Sequence, residues 1–175
     1  MPHYTRAYVP GGTFFFTVAL LERRRRLLTE HIDDLRTVFA AARQRRPFTI
    51  DAIVILPDHL HCIWTLPQGD SDFSTRWHDI KARFSARIPQ GERLSARRVR
   101  KGERGIWQRR FWEHAIRSED DFARHFDYIH YNPVKHGHVI RVADWPHSSF
   151  HRWVKEGVYP LDWAASPHVQ ELQME

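Results

Sequence analysis

Two β-rich runs separated by a short polar break constrain this chain more than any other feature. Residues 48–56 (FTIDAIVIL) and 61–66 (HCIWTL) are rich in β-branched and aromatic residues. Runs of that composition read as strands, and the tight turn at Pro57-Asp58-His59 makes them antiparallel neighbours in a hairpin. A further strand-like run, residues 13–20 (TFFFTVAL), follows Gly11-Gly12. Between it and the hairpin, Thr29 is placed to cap a helix in which Leu35, Val38, Phe39 and Ala42 recur at helical spacing to about Arg45, with Pro47 beyond. After the loop Pro67-Gln68-Gly69-Asp70, the stripe Trp77, Ile80, Phe84 and Ile88 predicts a helix over residues 74–88. Residues 106–116 (IWQRRFWEHAI) read as a fourth strand, with or without a bulge. Ser118-Glu119-Asp120-Asp121 then starts a last helix with a capping serine and first-turn acids, running to about Asn132 and stopped by Pro133. The order β-α-β-β-α-β specifies an α+β fold: a ferredoxin-like antiparallel sheet with helices on one face, plus an added C-terminal helix.

A length of 175 residues fits one domain with additions. Residues 1–133 hold the patterned elements. Residues 134–175 differ: they carry Trp145, Trp153, Trp163 and little periodicity, and read as an appendage packed on the same domain. The lone cysteine, Cys62, excludes an internal disulfide framework and, inside an apolar run, reads as a small buried filler. No apolar run approaches the roughly 20 residues of a membrane-spanning helix. Residues 1–6 lack a leader pattern, so the expected location is the cytoplasm.

The formal charge of +6 and pI of 9.9 favour a polyanionic partner. Arginines interleaved with tryptophans and phenylalanines suit single-stranded nucleic acid, where phosphates take the charge and unstacked bases take the rings. Two patches are candidates for phosphate contact. One holds Arg23 and Arg24, within residues 23–26. The other holds Arg97, Arg98, Arg100, Lys101, Arg104, Arg109 and Arg110, in a stretch that otherwise reads as a flexible basic loop. Trp107 and Trp112 are candidate base-stacking residues, with core packing an equal reading.

The chemistry rests on two short motifs. His59-Leu60-His61 begins the third strand, and alternation turns both imidazoles to one face and Leu60 to the other. With thirteen histidines in the chain, such a pair arises about once by chance. Alone it fits two partly buried surface histidines as well as a metal platform. Tyr128 and Asn132, four apart on the last helix, share a face. A phenol oxygen can act as a nucleophile, and an amide oxygen can ligate a hard cation. Tyr131, three residues on, is a rival nucleophile. Amphipathic packing and a helix C-cap at Asn132 account for the same residues without chemistry.

Together these motifs resemble a known family. Pro57-Asp58-His59-Leu60-His61 is similar to the HUH motif, and Tyr128-Ile129-His130-Tyr131-Asn132-Pro133-Val134-Lys135 to the tyrosine helix of IS200-like transposases. The flanking Phe111-Trp112-Glu113-His114-Ala115-Ile116-Arg117 fits the REP-associated tyrosine transposase branch. The resemblance implies a divalent metal, magnesium or manganese, on His59, His61 and Asn132. It implies Tyr128 as nucleophile ahead of Tyr131, and a covalent 5′-phosphotyrosine intermediate. It also implies a single-stranded, hairpin-forming DNA substrate with palindromic repeats, handled by a monomer or homodimer. The competing readings are a non-catalytic single-stranded DNA- or RNA-binding module and a relaxase or replication-initiator HUH nuclease.

Overall fold

Four strands form one antiparallel sheet in the computed structural model, which describes residues 8–174. Residues 1–6, read above as free of a leader pattern, lie outside that range. The strands are β1 (Thr13–Ala19), β2 (Thr49–Ile55), β3 (His59–Thr65) and β4 (Trp112–Ala115), in the order β2-β3-β1-β4. A short α1 (Leu27–Glu30) and α2 (Ile32–Arg45) connect β1 to β2, and α3 (Phe73–Arg87) and α4 (Ala96–Arg100) connect β3 to β4. Helix α5 (Glu119–Lys135) follows β4. This is the ferredoxin-like order that the sequence specifies.

Alternation along β1 and β3 divides the interior in two. Phe14, Phe16 and Val18 join Leu60, Cys62 and Trp64 on one face, packed by Leu35, Val38 and Phe39 of α2 and by Trp77, Ile80 and Phe84 of α3. Trp64 stacks on Trp77 with ring centroids 4.2 Å apart. Cys62 is fully buried here, as its setting implies, and burial pushes its thiol pKa up. Phe15, Ala52, Val54 and Ile63 line the opposite face, against Phe126, Tyr128 and Ile129 of α5.

The residues after 135 add to this second layer through Val142, Trp145, Phe150 and Tyr159. They form a 3₁₀ turn (Val142–Asp144), α6 (Phe150–Lys155) and α7 (Pro167–Gln170). Their backbone also closes the β2 edge: the Ile55 N–H donates to the His147 carbonyl (2.9 Å) and the Ser149 N–H to the Ile53 carbonyl (2.8 Å). Two indole N–H groups of this segment find carbonyl partners on β2. Trp145 donates to the Ile55 carbonyl at 3.0 Å, and Trp153 to that of Asp51 at 2.9 Å.

Four local expectations are corrected. Thr29 is not a helix cap: it lies inside α1 with its hydroxyl on the Arg26 carbonyl, and α2 starts after His31 without a side-chain cap. Burial of Leu27 and Leu28 accounts for the extra turn. The fourth strand covers only residues 112–115; Trp107 bridges Leu20 separately, and the polar Gln108-Arg109-Arg110 breaks the alternation between the two pieces. The basic stretch is not wholly irregular, since Ser95 caps α4 by accepting from the Arg98 N–H. Helix α5 runs through Pro133 to Lys135. A proline two residues from a helix end removes one hydrogen bond, and this end is closed by Gly137 at φ 71°. There the His138 N–H reaches the Pro133 carbonyl and the Gly137 N–H that of Val134.

Candidate active site

Strand period and register assemble the site. Residues 59, 61 and 63 of β3 share the face that meets α5, whereas Leu60 is fully buried in the opposite core. The two imidazole rings lie 5.0 Å apart, centroid to centroid, and nearly perpendicular. Both are buried, His59 at 2% and His61 at 0% exposure. From the other side, α5 presents Tyr128 and Asn132, one turn apart and each fully buried. The Tyr128 ring packs edge-on against His61 at 5.5 Å. Asn132 lies inside the helix and is not its C-cap.

Each histidine is held from behind. Thr17 is the cross-strand partner of His61, and its Oγ1 lies 2.8 Å from His61 Nδ1. Asp58 Oδ1 lies 2.8 Å from His59 Nδ1, and Arg23 Nε donates to Asp58 Oδ2 at 2.6 Å. Burial opposes ionisation of Asp58, but hydrogen bonds from His59 and Arg23 outweigh it and hold the carboxyl well below the usual range. An ionised carboxylate only accepts, so it places the proton of His59 on Nδ1 and turns the Nε2 lone pair inward. That contact is shorter than the 3.2 Å from Arg23 Nη2 to the same nitrogen, which would need the opposite tautomer.

The donor set fits a cation. His59 Nε2 and both side-chain atoms of Asn132 are buried and have no hydrogen-bond partner. An orphaned buried polar atom costs about 1–3 kcal/mol, so such atoms require an explanation. Imidazole nitrogen from the sheet and amide oxygen from the helix are a ligand chemistry that suits a divalent ion.

Comparison with known proteins agrees with this geometry. Residues 15–132 match the profile described as Transposase IS200 like. The chain belongs to the IS200-like transposases. A REP-associated tyrosine transposase of Escherichia coli (strain K12) is 51% identical over 94% of this chain and 92% of its own length. A protein named as a putative REP-associated tyrosine transposase, from Haemophilus influenzae, is 44% identical over 97% of each chain. The solved structure of a REP-associated tyrosine transposase bound to a REP hairpin superposes with a TM-score of 0.82 at 51% identity, covering 95% of this chain and 93% of that one. This transposase therefore lies in the REP-associated branch, as its motifs imply.

Of the two candidate tyrosines of the transposase, only Tyr128 has a ring contact with the histidine pair among the described residues. Tyr131 is half-buried on the flank of α5. Sequence reasoning passed over Lys135. Its Nζ donates to the Tyr128 hydroxyl at 3.1 Å and to the Leu172 carbonyl at 3.0 Å, and it lies 4.7 Å from the centre of the Tyr128 ring. The i, i+7 spacing from Tyr128 carries the signal, but it aligns the two residues only because the helix continues past Pro133. Of the other histidines near the motif, His136 approaches the His59 ring at 5.1 Å. His130 points away, bonded to Tyr159 Oη and Ser149 Oγ, and burial lowers its pKa to about 3.

The two basic patches part company. Arg23, Arg24, Arg25 and Arg26 line a cavity of about 270 Å³ together with Asp58, His59, His136 and His138, beside the site. The second patch borders a groove of about 690 Å³ between α3 and residues 98–111. Arg104 is engaged internally there, donating to the Ser85 and Ile88 carbonyls and pairing with Glu92. Arg98 reaches the Arg104 carbonyl, and Arg109 pairs with Glu103. Arg24, Arg97, Arg100, Lys101 and Arg110 are exposed, with no ion pair among the described residues. Another group with metal-ligand chemistry, His114, Asp121 and His125, gathers donor atoms within 4.8 Å. These atoms already have partners: His114 Nε2 lies 2.8 Å from Asp121 Oδ2, and His125 Nδ1 lies 2.8 Å from the Asp121 backbone carbonyl. The His59–Asn132 set, with donors left over, is the better fit to a resident ion.

Proposed function

We propose that this transposase cuts and rejoins hairpin-forming, single-stranded repeat DNA through a covalent 5′-phosphotyrosine at Tyr128. The observation that carries the reading is the meeting, within one chain, of a buried tyrosine, an ammonium on its hydroxyl and unsatisfied ligand atoms on His59 and Asn132. His59, His61 and Asn132 would hold magnesium or manganese. Such an ion polarises a scissile phosphate and offsets charge on its oxygens.

The side chains supply the rest. Lys135 favours the ionised form of the phenol as its proton leaves. The phenolate oxygen attacks phosphorus, forming the Tyr128 Oη–P bond as the P–O3′ bond breaks. The departing 3′ oxygen takes a proton and ends as a hydroxyl. The phosphodiester energy is retained, so attack by another 3′ hydroxyl reverses the step and joins a new strand. Arg23 to Arg26, around the cavity next to His59, are placed to receive the flanking phosphates. The relative solved with a REP hairpin supports a hairpin of that kind as the substrate. Such a substrate places the enzyme in the cytoplasm. Tyr128 and His61 meet within one chain, so assembly of the site needs no exchange of α5 between copies, whether the protein acts as a monomer or a homodimer.

The test is adduct formation on a labelled hairpin with magnesium or manganese, read as a protein–DNA band on a denaturing gel. Tyr128→Phe gives no adduct, while Tyr131→Phe gives near-normal yield. Normal yield from Tyr128→Phe would overturn the assignment.

A further inference from the structure

Strand β4 is an edge of the sheet, and Trp112 heads it on the face that carries the histidine pair. The cross-strand row runs Val54, His61, Thr17, Trp112. Two strand spacings put Trp112 roughly 10 Å from His61 along that row. Phe15 joins the two, stacked on His61 at 5.6 Å and edge-on to Trp112 at 5.7 Å.

Trp112 is 41% exposed, whereas Trp64 and Trp77 are fully buried and Trp107 is 6% exposed with its indole N–H on the Lys81 carbonyl. A lone exposed aromatic side chain would need no explanation. This one has a structure built behind it. Its ring lies flat on His114, 6° from parallel at 5.9 Å, and His114 lies flat on His125, 13° from parallel at 4.7 Å. The Asp121 carboxylate holds His114 and accepts the Arg117 N–H at 2.9 Å, while its backbone carbonyl holds His125 Nδ1 at 2.8 Å. The stack thus runs from the open edge into α5 and ends one turn before Tyr128. Rigid backing on one ring face with open surface beyond is what a stacking platform requires. Base–aromatic stacking is tolerant of sequence and contributes about 1–3 kcal/mol per base.

We propose that Trp112 is the platform on which one unpaired nucleobase of the DNA stacks, next to the scissile phosphodiester, with His114 as its backing. The inference rests on the function proposed above. Its test measures binding, in the full chain carrying Tyr128→Phe so that no cutting intervenes. The probe is a hairpin oligonucleotide with single-stranded flanks on both sides of the stem, each flanking nucleotide replaced in turn by an abasic site. One abasic position weakens binding by about 5- to 150-fold, the equivalent of one stacked base. Trp112→Leu weakens binding of the intact hairpin by a similar factor and removes the abasic penalty; Trp112→Phe restores both. His114→Ala lowers this coupling, and His114→Phe, which keeps a flat ring, retains it. An abasic penalty undiminished by Trp112→Leu overturns the platform while leaving the proposed function standing. Failure of the Tyr128→Phe chain to bind any such hairpin overturns both.

Discussion

The two faces of one sheet are built on opposite terms, and β3 shows it residue by residue. Leu60, Cys62 and Trp64 enter a core built almost wholly of aliphatic and aromatic side chains, with Arg76 over the Phe48 ring and Glu113 opposite Phe16 at its margin. His59 and His61, one residue out of phase, enter a layer that buries imidazoles, a phenol and an amide, some with donor atoms unsatisfied. The first face gains its stability mainly from buried apolar area, although the Trp64 and Trp77 indole N–H groups and the Glu113 carboxyl are also buried there without hydrogen-bond partners among the described residues. The second holds polar atoms at a cost because the first can bear it. Burying the chemistry against a rigid aromatic core also fixes its geometry.

Four changes would break or sharpen that contrast. Leu60→Ala, on the first face, costs about 2–5 kcal/mol of folding stability. That is a large part of the ~5–15 kcal/mol of an ordinary domain. Chemical denaturation measures the loss, and adduct yield per folded molecule stays near wild type. His61→Ala, the next residue on the other face, reverses the pattern. Adduct formation falls by on the order of 10²–10³-fold, and the denaturation midpoint moves far less than for Leu60→Ala. A His61→Ala chain as unstable as Leu60→Ala would erase the distinction between the faces. Lys135→Met removes the ammonium from the phenol and slows adduct formation by about 10²-fold without weakening hairpin binding to the same degree. Pre-steady-state adduct kinetics at saturating DNA separate the two.

The fourth change concerns pH. His130 is buried in the second layer with its pKa lowered to about 3 from 6.5 by burial. A depressed folded-state value means that its stabilising contribution is complete above pH 6.5 and is lost as pH falls toward 3. The thermal unfolding midpoint across that window should fall more steeply for wild type than for His130→Gln. Equal slopes would show that the neutral imidazole is not what the second layer protects.

Much of this could be read from the sequence because it is local. Period two along His59-Leu60-His61 assigns a face to each residue, and a spacing of four aligns Tyr128 with Asn132. The strand and helix order then brings the two motifs together. What escaped depends on distant partners. Thr17 meets His61 only through the β1–β3 register. Lys135 reaches Tyr128 only because tertiary packing and the glycine-closed end carry α5 past Pro133. Arg104 resembles its basic neighbours in sequence, yet folding turns it inward onto the Ser85 and Ile88 carbonyls and Glu92. Trp107 and Trp112 are equivalent by composition, and only the place where β4 ends separates a core ring from an open one.

The register of β3 has a practical consequence. A slip by one residue would exchange the faces, sending both histidines into the aromatic core and Leu60 and Cys62 toward Tyr128. A chain closed in the wrong register would lack the ligand set altogether. Under the proposed metal role, the number of divalent ions bound per chain becomes an assay of folding fidelity: titrating a preparation would count the molecules whose hairpin has closed in phase.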